Sequence, residues 1–254
     1  MDQMGLNDPK KERGVWKKQF QQEAVRELKD PILNLVTQLR PEINRGDYSA
    51  IVGDDASGRI PTLIVADVIN AAYRQNGIRP PVLDYIAGSS GLERRSPEAQ
   101  VRKKLSLQEY FTDLKRAATY DGRALGRVLF VTDSLVLGNT INKVLEAVKQ
   151  SGWTADVAAV GTAERIEPDE VEKKYNNRIV IGMNRVPKID ASNHYSWAVE
   201  QLSGVTKEPE NLYATPLINT PRFKGREEEL QEAMSLARDS ASQVASEIYK
   251  EYSK

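Results

Sequence analysis

The chain has 254 residues, 40% hydrophobic and 28% charged, and its 36 Lys+Arg balance 36 Asp+Glu. It is long enough for a self-sufficient core and carries no net field that selects a nucleic acid or an anionic membrane as partner. The absence of cysteine and the single histidine exclude thiolate catalysis, disulfides, Cys-based metal centres and any site that needs two histidines from one chain.

From Trp16 to Leu28 bulky residues recur at four-residue steps, predicting a helix that Asp30-Pro31 interrupts. A second stripe of Ile32, Leu35, Val36 and Leu39 predicts another helix, ended by Pro41. Beyond Gly46-Asp47 the pattern turns to strand, turn, helix: a β-rich Tyr48 to Gly53, a small polar turn from Asp54 to Arg59, and a helix from Pro61 to Tyr73. Pro81 to Ala87 reads as a second strand. Gly88 to Gln100 has no apolar period and reads as an exposed loop before a helix from about Leu107 to Ala118.

Arg127 to Asp133 (RVLFVTD) is a continuous apolar strand ending in polar residues. Ser134 to Gly138 then reads as a short loop, and Asn139 to Gln150 as a helix striped by Ile141, Val144, Leu145 and Val148. Strands are also expected at Asp156 to Val160 and Arg178 to Met183. This alternation implies an α/β fold with a mostly parallel sheet covered by helices, because parallel neighbours need crossovers. Past Asn184 the alternation stops; 185 to 222 is irregular with one helix near Tyr195 to Leu202. A long helix from about Gly225 to Tyr252 ends the chain. Its seam of Leu230, Met234, Ala237, Ala241, Val244 and Ile248 suits packing on the parent domain or a homodimer coiled coil. The expected division is an N-terminal helical extension over 1–45, a core over 46–184, and a hood-like segment with the long helix over 185–254.

Ligand sites in open parallel sheets lie at the carboxyl ends of strands, so the loops leaving strands are the places to search. Asp133 stands at one such end, and Gly138, Asn139 and Thr140 open the next helix. Unpaired N–H groups, a partial positive charge, a glycine and a hydroxyl at a helix start suit a phosphate monoester, while Asp133 suits the hydroxyls of an attached sugar. The same residues also suit a plain turn in which Asp133 caps a helix.

The stretch RVLFVTDSLVLGNTINKVLEAVKQSGW resembles the phosphoribosyl-pyrophosphate (PRPP) motif of the type I phosphoribosyltransferases. Asp54-Asp55-Ala56-Ser57-Gly58-Arg59-Ile60-Pro61 after the Tyr48 to Gly53 strand resembles the family's pyrophosphate-binding loop. The resemblance covers about residues 46 to 184 and implies a phosphoribosyltransferase-like parallel sheet with N- and C-terminal helical additions. It implies binding of PRPP or a related nucleotide with Mg²⁺, and transfer of phosphoribose to a nitrogenous base with release of pyrophosphate. On this reading Asp133 holds the ribose, and Ser134, Leu137, Gly138, Asn139 and Thr140 take the 5′-phosphate. Ser57, Gly58 and Arg59 take the pyrophosphate, Asp133 and Arg59 being the catalytic pair, and Asp55 holds the metal. Arg94, Arg95, Lys103 and Lys104 lie where family members carry a basic loop over the leaving group; a solvated charge run is the plainer alternative.

The chain departs from the family pattern at Thr132, where a second acid is usual, and at Leu137, where a threonine precedes the glycine. Val136 stands where purine-salvage members carry an acid. These departures keep open a non-catalytic regulator or interaction protein on the same fold. The basic cluster Lys10-Lys11, Arg13 and Lys17-Lys18 is interrupted by Glu12 and has no stacking array, so no nucleic-acid partner is expected. With no apolar run near the roughly 20 residues of a membrane span and no signal-like core in Met1 to Lys18, neither is a membrane partner, and a cytoplasmic location is expected.

Overall fold

The computed structural model describes residues 22–87, 96–120, 125–135, 139–162, 177–183, 200–207 and 211–254. In chain order it places α1 (Lys29–Gln38), α2 (Arg40–Arg45), β1 (Tyr48–Asp54), α3 (Arg59–Gln75), β2 (Val82–Ile86), α4 (Pro97–Thr119), β3 (Arg127–Leu135), α5 (Asn139–Gln150), β4 (Ala155–Thr162) and β5 (Ile179–Met183). A short α6 (Glu200–Ser203), a two-stranded ribbon of β6 (Val205–Thr206) and β7 (Thr215–Pro216), and two 3₁₀ turns lead into α7 (Glu227–Tyr252).

The five main strands form one sheet in the order β2-β1-β3-β4-β5, and every pair is parallel. From Ala50 onward side chains alternate between the faces as the two-residue strand period requires, and a register shift between Tyr48 and Ala50 puts Tyr48 on the face of Ile51. Tyr48, Ile51, Leu129, Val131, Ala158, Val160 and Val180 enter a core shared with α1, α2, α3 and α7. Ala50, Val52, Val128, Phe130, Val157, Ala159, Ile179 and Ile181 enter the opposite core with α4 and α5. The result is a helix-sheet-helix sandwich, and burial on both faces explains why these strands read as unbroken apolar runs.

The terminal helices complete one layer of this sandwich. Ala24, Val25 and Leu28 from the first helical residues, and Ala237, Ala241, Val244 and Ile248 from α7, lie in the same core as α3. The α7 seam is therefore occupied by its own chain, with Tyr252 donating from Oη to Asn44 Oδ1 at 2.8 Å. Pro41 does not end the helical run: the chain breaks at Leu39 and restarts with Pro41 in the first turn of α2, where its missing N–H costs nothing. The Trp16 to Leu28 helix lies partly outside the described residues, and the segment 184–199, with His194, lies wholly outside them.

Two boundaries depart from the sequence reading in ways that bear on the site. Helix α4 starts at Pro97, ten residues before Leu107, because Ser96 caps it by accepting the Ala99 N–H at 3.3 Å and Pro97 occupies the first turn. Strand β3 runs on through Ser134 and Leu135, whose pairing with Gly161 and Thr162 on β4 continues past Asp133. Ser134 is thus a strand residue. Among the described residues no helix is long and apolar enough to cross a membrane.

Candidate functional site

In the order 2-1-3-4-5 the chain leaves β1 toward one face of the sheet and β3 toward the other. Helix α3 packs with Ile60, Ile64 and Val65 on the α7 side, and α5 packs with Ile141, Val144 and Val148 on the α4 side. The carboxyl ends of the neighbouring strands β1 and β3 are therefore the switch point of the sheet, the place at which open α/β sheets bind ligands in a crevice. The two segments singled out by sequence follow these two neighbouring strands.

The β1 turn is tight and strained. Ala56 adopts φ 48°, a left-handed conformation costing an alanine about 1–2 kcal/mol. At Gly58 a Cβ would collide with the Asp54 carbonyl oxygen, so the turn closes only around glycine. Thr62 donates from its backbone N (2.9 Å) and Oγ1 (2.6 Å) to the Gly58 carbonyl, and the Asp55 N–H donates to the Ile86 carbonyl at 2.7 Å, fastening the turn to the end of β2.

Three buried carboxylates gather here: Asp54, Asp55 and Asp133. Asp55 accepts from Arg59 Nε at 2.8 Å and Nη2 at 3.3 Å, an i,i+4 pair across the start of α3. The guanidinium also lies over the Tyr85 ring, 4.7 Å from its centroid. Asp54 Oδ1 accepts from Lys207 Nζ at 2.8 Å. Asp133 accepts from Thr132 Oγ1 at 3.3 Å, and the Ser57 hydroxyl and the Ser134 N–H lie close enough to favour its charged form. Burial pushes the Asp133 carboxyl above the ordinary aspartate range; the neighbouring Asp54 charge adds to this, and Lys207 and the Ser57 and Ser134 donors oppose it.

Lys207 belongs to a cap formed by residues 200–207 and 211–223. Across the carboxyl end of β2, the Ala87 N–H donates to the Leu212 carbonyl at 2.7 Å. Lys103, 4% exposed, donates to the Ala87 carbonyl at 2.8 Å and also to the Asn211 carbonyl. Tyr213 meets Tyr110 edge-on at 6.1 Å between ring centroids. Burial draws the Lys103 ammonium down to about 8, with Lys207 acting in the same direction and Asp54 against it.

The expected site residues divide as follows. Asp133, Ser57, Ser134, Gly58, Arg59 and Asp55 come together at the switch point. Leu137, Gly138, Arg94 and Arg95 lie outside the described residues, and Asn139 and Thr140 open α5 without describable side chains. The basic-loop expectation for Lys103 and Lys104 is corrected: both stand on α4. Lys103 is buried under the cap, whereas Lys104 is exposed and bridges to Glu146 of α5 at 2.6 Å. Arg59, expected to face a leaving group, is held by Asp55.

The residues do not fit Mg²⁺ on Asp55. Both Asp55 oxygens are taken by Arg59, Asp54 is taken by Lys207, and the described residues contain no group of three acids or histidines able to hold a metal ion. The sequence reading passed over Lys207 because no local pattern announces it. Its signal is indirect: adjacent buried acids at a strand end require cations from somewhere in the chain. Trp153, expected to be a packing residue, is buried and donates from Nε1 to the Gly126 carbonyl at 2.7 Å. No protein-family model, curated protein or solved structure matches this chain.

Proposed function

We propose that the crevice between β1 and β3 binds PRPP or a related ribose phosphate, and that the protein is phosphoribosyltransferase-like in activity as well as in its motifs. The observation that carries this reading is the meeting of the two family-like segments. Ser57 from the first lies close enough to Asp133 from the second to act on its carboxyl, at the sheet position where α/β proteins take ligands. On this proposal Asp133, buried and aligned by Ser57 and the Ser134 N–H, accepts from the ribose hydroxyls. The amino end of α5 faces the 5′-phosphate with its unpaired N–H groups, and the cap excludes water from the sugar. In the transfer, the bond from the anomeric carbon to pyrophosphate breaks with its electron pair leaving on pyrophosphate. A base nitrogen forms the new bond, and the base's proton passes to solvent. No step is assigned to Mg²⁺, because Asp54 and Asp55 already have cation partners.

A second reading, a ribose-phosphate or nucleotide sensor without turnover, is favoured by one specific observation. Asp55 and Arg59 are spent on each other, which withdraws the cation that the transferase reading assigns to the departing pyrophosphate. The test that separates the two is pyrophosphate release from PRPP across a panel of purine, pyrimidine and related bases. Release with any base supports transfer. Saturable PRPP binding with no release from the whole panel supports the sensor, and no binding rejects both.

A further inference from the structure

We propose that Lys207 is the built-in cation of this crevice, serving Asp54 and Asp133 in place of a divalent metal, so that the site takes a sugar phosphate without Mg²⁺. The ligand class rests on the reading under Proposed function; the metal independence does not.

Three observations carry it. The first is the balance of charge among the described residues: the buried Asp54, Asp55 and Asp133 face the buried Lys103 and the partly buried Arg59 and Lys207, three carboxylates against three cations. A closed set of this kind needs no further positive charge to be stable away from water. The second is occupancy. Lys207 Nζ sits 2.8 Å from Asp54 Oδ1 with side chains only 17% and 10% exposed, and its charge also acts on Asp133. A metal seeking Asp54 would have to displace a partly buried ammonium and then find ligands beside a bidentate Arg59–Asp55 pair. The third is the origin of Lys207. It follows β6 in the cap, and the cap is fastened to the β2 end by Lys103 and by the Ala87–Leu212 hydrogen bond. The cation is thus delivered by the element that covers the crevice.

The chemistry suits an anionic ligand. An ammonium has three N–H donors, and among the described residues one is engaged, by Asp54. Asp54 holds the lysine in register, and an ammonium so held can donate to phosphate oxygens as well. A sugar phosphate entering the crevice then meets a fixed positive charge that owes nothing to metal concentration.

The experiment uses the full chain and two probes. The first is Mn²⁺ alone, followed by the loss of its free-ion electron paramagnetic resonance signal. Wild type and Lys207→Arg are expected to take up no Mn²⁺. Lys207→Ala or Lys207→Met, with the acids released, takes up one ion, and the added Asp54→Asn substitution abolishes that uptake. Uptake by wild type that Asp54→Asn removes overturns the proposal even if no Lys207 variant folds; so does absence of uptake by a Lys207→Ala or Lys207→Met protein that melts cooperatively. The second probe is ribose 5-phosphate, titrated calorimetrically in EDTA and in Mg²⁺. Wild-type affinity is expected to agree between the two buffers to within about twofold, and a tenfold loss in EDTA overturns the proposal. If ribose 5-phosphate binds in neither buffer, the ligand reading fails, while the Mn²⁺ arm still decides whether Lys207 replaces a metal.

Discussion

Replacing Lys103 by methionine tests the cap and its burial of charge together. The substitution keeps an unbranched stem of similar length and removes the ammonium. In the folded protein burial, seconded by Lys207, holds that ammonium near 8 against an ordinary 10.5. Between these values the unfolded chain keeps a proton that the folded chain has lost, so stability rises with pH across the window and is flat below it. At about 1.4 kcal/mol for each pH unit, the wild type is expected to gain about 3 kcal/mol between pH 8 and 10.5 from this residue. The neutral amine retains two N–H groups for the Ala87 and Asn211 carbonyls, so the cap stays fastened as the proton leaves. Urea unfolding of both proteins at intervals from pH 7 to 10.5 measures the effect as a difference, which cancels every titration they share. The wild-type advantage should grow through the window by about that amount. Parallel curves would refute burial of Lys103 beneath residue 211.

Asp133→Asn removes a buried carboxylate that burial and Asp54 disfavour, and is expected to stabilise the protein at pH 7 by about 1–2 kcal/mol, or roughly 2–8 °C in thermal melts. The sign follows from the raised carboxyl: the folded state gains over the unfolded one while Asp133 is protonated, and loses that gain as pH rises from the ordinary 3.8 through the folded value. The wild-type disadvantage relative to Asp133→Asn should therefore vanish in acid unfolding series below the ordinary value; its persistence there would contradict the assignment. Gly58→Ala drives a Cβ into the Asp54 carbonyl and should cost about 1–3 kcal/mol in chemical denaturation, with an unchanged midpoint counting against the turn geometry. Ala56→Gly relieves the left-handed strain and should stabilise by about 1 kcal/mol, read by the same denaturation; a loss of stability would contradict the φ described.

The sheet was legible because β1, β3, β4 and β5 are buried on both faces and so leave continuous apolar runs, as in RVLFVTD, bounded by turns. Helix α5 was legible from Ile141, Val144, Leu145 and Val148, all of which are buried. The start of α4 was not, because its first turns carry Arg102, Lys103 and Lys104 among few apolar residues, and the Ser96-Pro97 cap was the one local cue. The site was legible as two turns, since Asp133 and Ser57 to Arg59 carry their chemistry in short segments. Their partners were not. Lys207 meets Asp54 only through the tertiary path of the cap, and Lys103 stands in a charge run that ordinarily remains solvated. The Asp55–Arg59 pair had a readable cue in its four-residue spacing, yet that cue means pairing only once a helix is known to begin at Arg59.

The central claim, that the β1–β3 crevice holds a ribose phosphate through Asp133, is tested most directly by calorimetric titration of PRPP into the wild type and Asp133→Asn. The account predicts saturable binding at one site per chain, weakened at least about tenfold in the variant, the equivalent of about 1.4 kcal/mol lost with one charge-assisted hydrogen-bond acceptor. Absence of wild-type binding, or equal affinity in the two proteins, would contradict it.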